Sequence, residues 1–570
     1  MKKSCGIAAV QLLAVLLGAP CAVAQTPPNR AGCGSTEQPA FCSAVRGVRS
    51  EGWPAQSRSE VMAQHGMVVT SQPLAAQAGL QILLRGGNAI DAAVATAAVL
   101  NLTEPMNVGV GGDLFAVIFI AKDKEIYVLD ASGTAPSGAT LARLNRLGYH
   151  WNPKNWGPTS GMPPGGILPV TVPGAVWGWQ AVLRRFGKLT FKEVLEPAAQ
   201  YAETDLARTF RLLQAKGGEG FYQGEIADAI VAKSRALGGT MTRKDLANYH
   251  GEWVEPAHTQ YHGFDILELP PPSQAWATNE ILNILQACLP QWAPGTTLAS
   301  LGPTNPQYWH LMVEAKKLAY ADLFRYNADP NFASVPLPKL LSESYAASLC
   351  GKVDPQHAAT PGPEANFPLP GDTIVLSAAD GEGNMVSWVN SNYSVFGSGI
   401  TVQGYGFVLH NRGTLFTLDP QSPNVITPHK RPFNTLSAGF VMQGGEPLMT
   451  VTLMGGDMQA QGHAQMLVDI LDLGANVQAA ADIARFRHAQ VANVLSLEAP
   501  LYDLVGSQLA AMGHTVKSVS GKDVGGVQTI MFVGAPHGAQ AADQPGSGKR
   551  VNGYYRAGSD FRKDGEAVGW

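Results

Sequence analysis

The chain has 570 residues, of which 45% are apolar, 8% aromatic and 15% charged, enough apolar side chain to bury a large core and too much for a disordered chain. Forty basic residues against 44 acidic ones leave a formal charge of −4 with no long run of either sign, which argues against a nucleic-acid partner and favours a small molecule. The 63 glycines and 39 prolines predict many turns without approaching a collagen-like composition.

The first residues read as an export signal. Lys2 and Lys3 precede an apolar stretch over residues 7–17, and Ala22-Val23-Ala24 before Gln25 is the small-x-small pattern of a signal-peptidase site. That stretch is shorter than the ~20 residues that span a bilayer. A signal over residues 1–24 is therefore expected to be removed, leaving a periplasmic or secreted chain with no membrane contact. Pro20 before Cys21 does not suit lipid attachment. Four cysteines then remain. Cys33 and Cys42 lie in a Gly/Ser/Pro-containing segment that could close as a disulfide, whereas Cys288 and Cys350 end or interrupt apolar helical runs and read as small buried hydrophobes. No CxxC or His/Cys cluster points to zinc, and no metal is expected.

Residues 25–60 read as a polar tail, with the fold beginning at 61. Residues 66–70 predict a strand and 73–84 a helix closed by Gly86-Gly87. An Ala/Val-rich helix follows over 91–100, then strands over 114–120 and 125–129 around Lys122-Asp123-Lys124. Helices are predicted over 276–289 and 308–326; the charged residues of the second, His310, Glu314, Asp322 and Arg325, read as a solvated or ion-paired face. A Pro/Gly-rich linker covers 351–371. Immediately after it, 373–377 and 385–389 alternate as strands around the hairpin Asp380-Gly381-Glu382-Gly383-Asn384.

The chain has no G-x-S-x-G elbow, Walker loop, HExxH helix or dinucleotide fingerprint. Gly109-Val110-Gly111-Gly112 lacks the Lys-Ser/Thr of a phosphate loop and reads as a turn. What remains is Asp372-Thr373, a hydroxyl opening a strand directly after a linker. An N-terminal-nucleophile hydrolase requires that placement. The hydroxyl attacks the preceding carbonyl, the ester hydrolyses, and the freed α-amine, with an ordinary pKa of about 7.7 to 8.0, serves as general base for the same hydroxyl. A threonine opening a strand also has a plain explanation in β propensity.

A set of blocks runs through the chain in order. They are Gly66-Met67-Val68-Val69 with Pro73-Leu74-Ala75, Gly86-Gly87-Asn88-Ala89-Ile90-Asp91-Ala92-Ala93, Gly109-Val110-Gly111-Gly112, Val172-Pro173-Gly174 and Pro270-Pro271-Pro272-Ser273. Asp372-Thr373 comes next with Asp380 and Gly383-Asn384, then Phe396-Gly397-Ser398-Gly399, Lys430-Arg431-Pro432 and Met454-Gly455-Gly456-Asp457. Through them the sequence resembles the gamma-glutamyltransferase family from about residue 62 onward. The resemblance implies an α+β fold, the four-layer αββα sandwich of the N-terminal-nucleophile hydrolases, built from a large subunit (61–372) and a small subunit (373–570) that form one domain after self-cleavage between Asp372 and Thr373. It further implies Thr373 as nucleophile, Ser391 in the place of a threonine that contacts the free amine, and Gly455 and Gly456 as oxyanion donors. Asn411, Arg412, Asn434, Thr435 and Asp457 fall in the substrate-binding region. No cofactor is implied, and the partners are a small amide and the chain's own second cleavage product.

The departures from the family are as informative. Asp130-Ala131-Ser132-Gly133-Thr134-Ala135-Pro136 lacks the arginine that clamps the glutamyl α-carboxylate, Asn434-Thr435 replaces paired serines, Tyr393 stands for an asparagine, and Leu415 for an acidic residue. The segment after Arg412 lacks the longer lid. These changes resemble a lidless branch that includes acylases and an oxamate-hydrolysing amidase. The favoured function is hydrolysis or transfer of the acyl group of a small amide, nominally a γ-glutamyl compound such as glutathione, through an ester on Thr373. The alternatives are an amidohydrolase or acylase for another carboxylate-bearing amide, of oxamate or glutaryl-amide type, and an inactive periplasmic binding protein with the same fold. Weak handling of γ-glutamyl substrates is expected unless Arg412 or Arg431 replaces the missing clamp.

Overall fold

The structure, a computed structural model, describes residues 56–152, 161–360, 372–534 and 552–570. The export signal, Cys33 and Cys42, most of the polar tail and the linker over 361–371 lie outside the described residues.

Helices and two large antiparallel sheets make an α+β fold. The first sheet runs in the order Glu566–Gly569, Gly66–Thr70, Asp372–Asp380, Met385–Tyr393, Asp113–Ile120, Glu125–Ala131, Glu252–Val254. The second runs Val61–Ala63, Gly553–Ser559, Gly526–Gly534, Glu446–Met454, Ala438–Gln443, Phe264–Glu268, Ala257–Tyr261. Both sheets therefore interleave strands from either side of residue 372. Asp372–Asp380 pairs with Gly66–Thr70 on one edge and with Met385–Tyr393 on the other.

Strand Asp113–Ile120, sequence DLFAVIFI, is apolar almost throughout because both of its faces are buried. Leu114, Ala116 and Ile118 join a cluster with the helices Pro73–Leu84, Ala89–Thr103 and Ala175–Phe186. Phe115, Val117 and Phe119 belong to another cluster, with Met67, Val69, Val375 and Val389 of the first sheet and Phe440, Met454, Ile530 and Tyr555 of the second. A third cluster joins the second sheet to the helices Trp276–Trp292, Pro306–Tyr326 and Met458–Leu471. Buried hydroxyls fasten the sheets to each other. Ser377 Oγ lies 2.9 Å from Thr450 Oγ1 and donates to Gln528 O at 2.9 Å, and Ser387 Oγ donates to Val451 O at 3.0 Å.

The helices and strands expected from the sequence form, several extending beyond their predicted limits. The Ala/Val-rich helix spans Ala89–Thr103 and starts in a capping box, Asn88 accepting from the Asp91 N–H while the Asp91 side chain accepts from the Asn88 N–H. Two expectations change. The end of the polar tail is part of the core: Ser57 N donates to Asp482 at 2.7 Å, and buried Glu60 pairs with Arg556, Nε at 2.8 Å. Cys288 and Cys350 are not independent buried hydrophobes. They form a disulfide across 62 residues, with Cα atoms 5.1 Å apart, joining helix Trp276–Trp292 to the turn Cys350–Lys352.

Closing a loop of that length stabilises the folded chain by about 4 kcal/mol through the entropy removed from the unfolded state. Peptide mapping without reductant should recover Cys288 joined to Cys350, and a Cys288→Ala/Cys350→Ala variant should melt several degrees below wild type. Alkylation of both thiols in the native protein would remove the bridge.

Candidate active site

Strand Asp372–Asp380 carries a bulge at its start, where the register to its neighbour shifts between Asp372 and Ile374. The residue within the bulge is Thr373. It is 1% exposed, and its Oγ1 donates to Ser391 Oγ at 3.1 Å. Ser391 lies on the strand face that also carries Ser387 and Val389, which is turned to the second sheet. Its Oγ also accepts from the Tyr393 N–H at 2.7 Å. Tyr393 has φ 75°, a left-handed backbone that costs a bulky side chain on the order of 1–3 kcal/mol and that clusters at functional sites.

From Tyr393 the contacts lead across the fold. The Arg412 guanidinium lies 4.9 Å from the centre of the Tyr393 ring, and its Nη1 donates to Thr435 Oγ1 at 3.0 Å. Gln274 Nε2 then donates to both Thr435 O and Gly456 O, each at 2.7 Å. Gly455 and Gly456 have φ of 127° and 64° and make the turn between strand Glu446–Met454 and helix Met458–Leu471. A Cβ on Gly455 would lie 3.0 Å from the Gly525 Cα. Positive φ at both positions is what glycine allows at the tight entry to this helix. A single run of contacts thus connects Thr373, Ser391, Tyr393, Arg412, Thr435, Gln274 and Gly456.

Arg412 is fully buried and answers a buried carboxylate. Asp113 Oδ2 receives Arg412 Nε at 3.0 Å and lies 3.3 Å from His410 Nδ1, while its Oδ1 accepts from the Gly133 N–H at 2.8 Å. Burial pushes the Asp113 carboxyl up, but His410, Arg412 and the Gly133 N–H outweigh it and hold it below the ordinary carboxylate value. Asp113 stands opposite Ser391 in the sheet register, and its carbonyl accepts from Asn390 Nδ2. The Gly109–Gly112 turn serves this packing: a Cβ on Gly112 would meet Ser391 O at 2.5 Å, and one on Gly111 would meet Val408 O at 2.2 Å.

The other expected site residues divide into two groups. Asn434 is fully buried beside Gln274, and its Nδ2 has no partner among the described residues. Neither do Arg412 Nη2 and the Tyr393 hydroxyl, three orphaned donors in one neighbourhood. Asn411 and Asp457, by contrast, are engaged. The Asn411 side chain bonds Pro164 O at 2.7 Å and Ser394 at 3.0 Å and 3.2 Å, and Asp457 pairs with Arg487. Arg431 is not available as a substitute clamp either. It donates to Glu252 at 2.7 Å and to His250 O at 3.0 Å, and stands 3.7 Å from Asp130, whose carboxyl is pushed up to about 6 by burial against the pull of Arg431. Thr134, in place of the family's arginine, faces a cavity of about 570 Å³ bounded by Tyr249, Glu252, His429 and Arg431 and not by Thr373.

Sequence reasoning passed over Asp113, His410 and Gln274. The available signal was an aspartate heading an otherwise apolar strand, which must find a cation when both faces are covered. Among the described residues one group has metal-ligand geometry, His310, Glu314 and His514, their ligand atoms within 4.8 Å of one another. Lys317 Nζ already donates to Glu314 at 2.7 Å, and His310 Nδ1 and His514 Nε2 are 2.8 Å apart, closer than two ligands of one ion sit. The group instead fixes the backbone before the linker: His310 Nε2 lies 2.9 Å from Asp354 O, and Lys317 donates to Ala359 O at 2.7 Å.

The Gamma-glutamyltranspeptidase family model matches residues 75–204 and 203–570. The chain is 31% identical to the Glutathione hydrolase-like YwrD proenzyme of Bacillus subtilis (strain 168) over 88% of its own length and 98% of that protein. It is also 31% identical to the Acylase ACY 1 proenzyme of Pseudomonas sp. (strain SE83), over 82% of this chain and 90% of that one. In structure it is similar to the cephalosporin acylase from Bacillus halodurans, with a TM-score of 0.79 and 32% identity over 92% of this chain and 99% of that one.

Removing one partner of a buried ion pair costs about 3 to 5 kcal/mol. Arg412→Met should therefore lower thermal stability by several degrees, with Arg412→Lys losing less because it keeps the charge, as read by differential scanning calorimetry of the two variants. A wild-type melting temperature in Arg412→Met would show that Asp113 does not depend on it.

Proposed function

Because the chain belongs to the gamma-glutamyltranspeptidase family, we propose that it is a self-processing enzyme that hydrolyses or transfers the acyl group of a small amide through an ester on Thr373. The observation that carries the reading is the Thr373 hydroxyl: buried, set in a bulge at the head of a central strand, and hydrogen-bonded to Ser391. The order of core clusters supports the finer reading of the fold as a four-layer αββα sandwich of the N-terminal-nucleophile hydrolases.

Processing begins when Thr373 Oγ1 attacks the Asp372 carbonyl carbon. The Asp372–Thr373 amide breaks, its nitrogen becomes the α-amine of Thr373, and Asp372 is held as an ester until water releases it as a carboxylic acid. In turnover that amine takes the hydroxyl proton while Oγ1 attacks the substrate carbonyl. The resulting oxyanion is met by the Gly455 and Gly456 N–H groups, each such donor being worth about 3 to 4 kcal/mol. The amine product leaves with the proton, and water or an acceptor amine then discharges the ester. Ser391 acts as a positioning residue: its Oγ already ties Thr373 to the Tyr393 backbone.

For the substrate, the acylase reading is favoured over the γ-glutamyl one. Arg412 is committed to Asp113 and Thr435, Arg431 to Glu252 and His250, and Leu415 is buried and apolar. No cofactor enters any step. A periplasmic or secreted location is proposed from the export signal, and no helix among the described residues is long and apolar enough to cross a membrane.

Denaturing electrophoresis with N-terminal sequencing should find the purified enzyme as two chains, the smaller beginning at Thr373. Thr373→Ala should stay uncut and inactive, and Thr373→Ser should keep part of each activity because serine retains a hydroxyl. An uncut, fully active wild type would end the assignment, and an inactive but cut protein would favour a binding role. Separately, Gly456→Val should lower kcat about 100-fold or more with the melting temperature largely kept, since it displaces a donor that acts in the transition state; an unchanged kcat would remove this glycine from the site.

A further inference from the structure

We propose that Gln274 is a positioning residue of the reaction: its side-chain amide holds the Gly456 carbonyl, and so keeps the Gly456 N–H in the direction the transition state uses. Tyr320 acts in the same way one residue on, through the Asp457 carbonyl. The inference deepens the proposed function and rests on it.

Two glycines in succession carry no side chain to anchor them, and glycine accepts positive and negative φ almost equally, so nothing local keeps Gly455 and Gly456 at 127° and 64°. Their peptide units must be held from outside. A carbonyl and the N–H that follows it lie in one rigid plane, so fixing the first fixes the second. The Gly455 carbonyl accepts from the Met458 N–H at 3.2 Å, which orients the Gly456 N–H. The Gly456 carbonyl accepts from Gln274 Nε2 at 2.7 Å and from the Gln459 N–H at 3.3 Å. With both planes held, the Gly456 Cα between them cannot turn. The bond from Gln274 is the shortest of the three.

Gln274 is itself firmly placed. It lies between strand Phe264–Glu268 and helix Trp276–Trp292, is fully buried, and its backbone N–H donates to Asn434 O at 2.8 Å. The carbonyl oxygens of Thr435 and Gly456, each 2.7 Å from its amide, leave only the nitrogen able to face them. Its Oε1 is then buried with no partner among the described residues, which costs stability that an apolar side chain would not lose. Tyr320, on helix Pro306–Tyr326, is fully buried too. Its hydroxyl donates to Asp457 O at 2.7 Å and accepts from the Gln461 N–H at 3.3 Å, while Gln461 Nε2 donates to the same carbonyl at 3.1 Å. Lys316 Nζ sits 3.8 Å from the centre of the Tyr320 ring and is held by His488 O and Gln490 Oε1 at 3.0 Å and 2.9 Å. The turn is thus tied to two further elements of the fold at successive carbonyls.

Rates are measured with whichever of the γ-glutamyl and glutaryl p-nitroanilides wild type turns over faster. Gln274→Met keeps the length of the side chain and removes its donor. Its kcat should fall about 10- to 100-fold with KM kept within about 3-fold, because the Gly456 N–H acts on charge that develops in the transition state. Coupling is the decisive readout: on a Gly456→Val background, whose donor is already displaced, Gln274→Met should cost about 3-fold or less. Losses that multiply, a raised KM at unchanged kcat, or an unchanged kcat each overturn the proposal. Tyr320→Phe removes one hydroxyl at nearly constant volume and should lower kcat about 3- to 10-fold at the wild-type KM. Where Gln274→Met does not fold, Tyr320→Phe replaces it in the same cycle, read by the same outcomes. The underlying reading fails separately: turnover by Thr373→Ala would overturn the acyl-enzyme, and a wild-type kcat in Gly456→Val would remove that glycine from the site, whatever Gln274 does.

Discussion

A carboxylate cut off from water has to be neutralised where it stands, and in this fold that carboxylate is Asp113. It heads a strand whose two faces are covered by helices and by the second sheet, so its partners must come from the protein. Gly133 is drawn in from the next strand's exit, and His410 and Arg412 from beyond the hairpin Ile400–Val402 and Phe407–Leu409. Each partner fixes something else. His410 Nε2 lies 3.0 Å from the Thr171 hydroxyl, Arg412 orients Thr435 and backs the Tyr393 ring, and the register through Asp113 sets Ser391 opposite it. The register that sets Ser391 beside Thr373 thus runs through one desolvated charge.

Much of this scaffold was legible in the sequence because its strands and helices have short, local causes. The Pro73 start of a helix and the Asp380–Asn384 turn are written within a few residues, and the structure has both, whereas the capping box at Asn88 starts its helix two residues ahead of the predicted limit. What escaped was set by partners far apart in the chain. Cys288 and Cys350 each sit in an apolar run that explains a thiol without a bridge, and only the packing of helix Trp276–Trp292 on the turn after Glu343–Leu349 brings them together. Glu60 looked like tail because its partner, Arg556, lies near the other end. At the site, the chemistry-bearing residue types could be named, but not which of them are already spent. Arg412 and Arg431 are equivalent as letters; in space one is committed to Asp113 and the other to Glu252.

The loss of the family's arginine also changes the electrostatics of the site as a whole. An exposed arginine facing a substrate carboxylate is a dedicated cation, whereas Arg412 has its charge balanced by Asp113 before any substrate arrives.

Interleaved strands and the group around Lys317 would together keep the two products of the proposed cut before residue 373 associated. Strand Asp372–Asp380 is paired on one side with Gly66–Thr70, which precedes the cut, and on the other with Met385–Tyr393, which lies beyond it. Separating the products would therefore break ladder hydrogen bonds inside a sheet buried on both faces, together with the Ser377 and Ser387 contacts between sheets. The backbone over residues 354–359, ahead of the linker, is held as well. His310 and Lys317 on helix Pro306–Tyr326 take the carbonyls of Asp354 and Ala359, the Ala358 N–H donates to Met512 O at 2.7 Å, and burial brings His514 down to about 3, so that imidazole adds no charge beside Lys317. The proposed cleavage would remove one covalent bond from a molecule whose strand pairing spans the cut, so the two products would remain one folding unit.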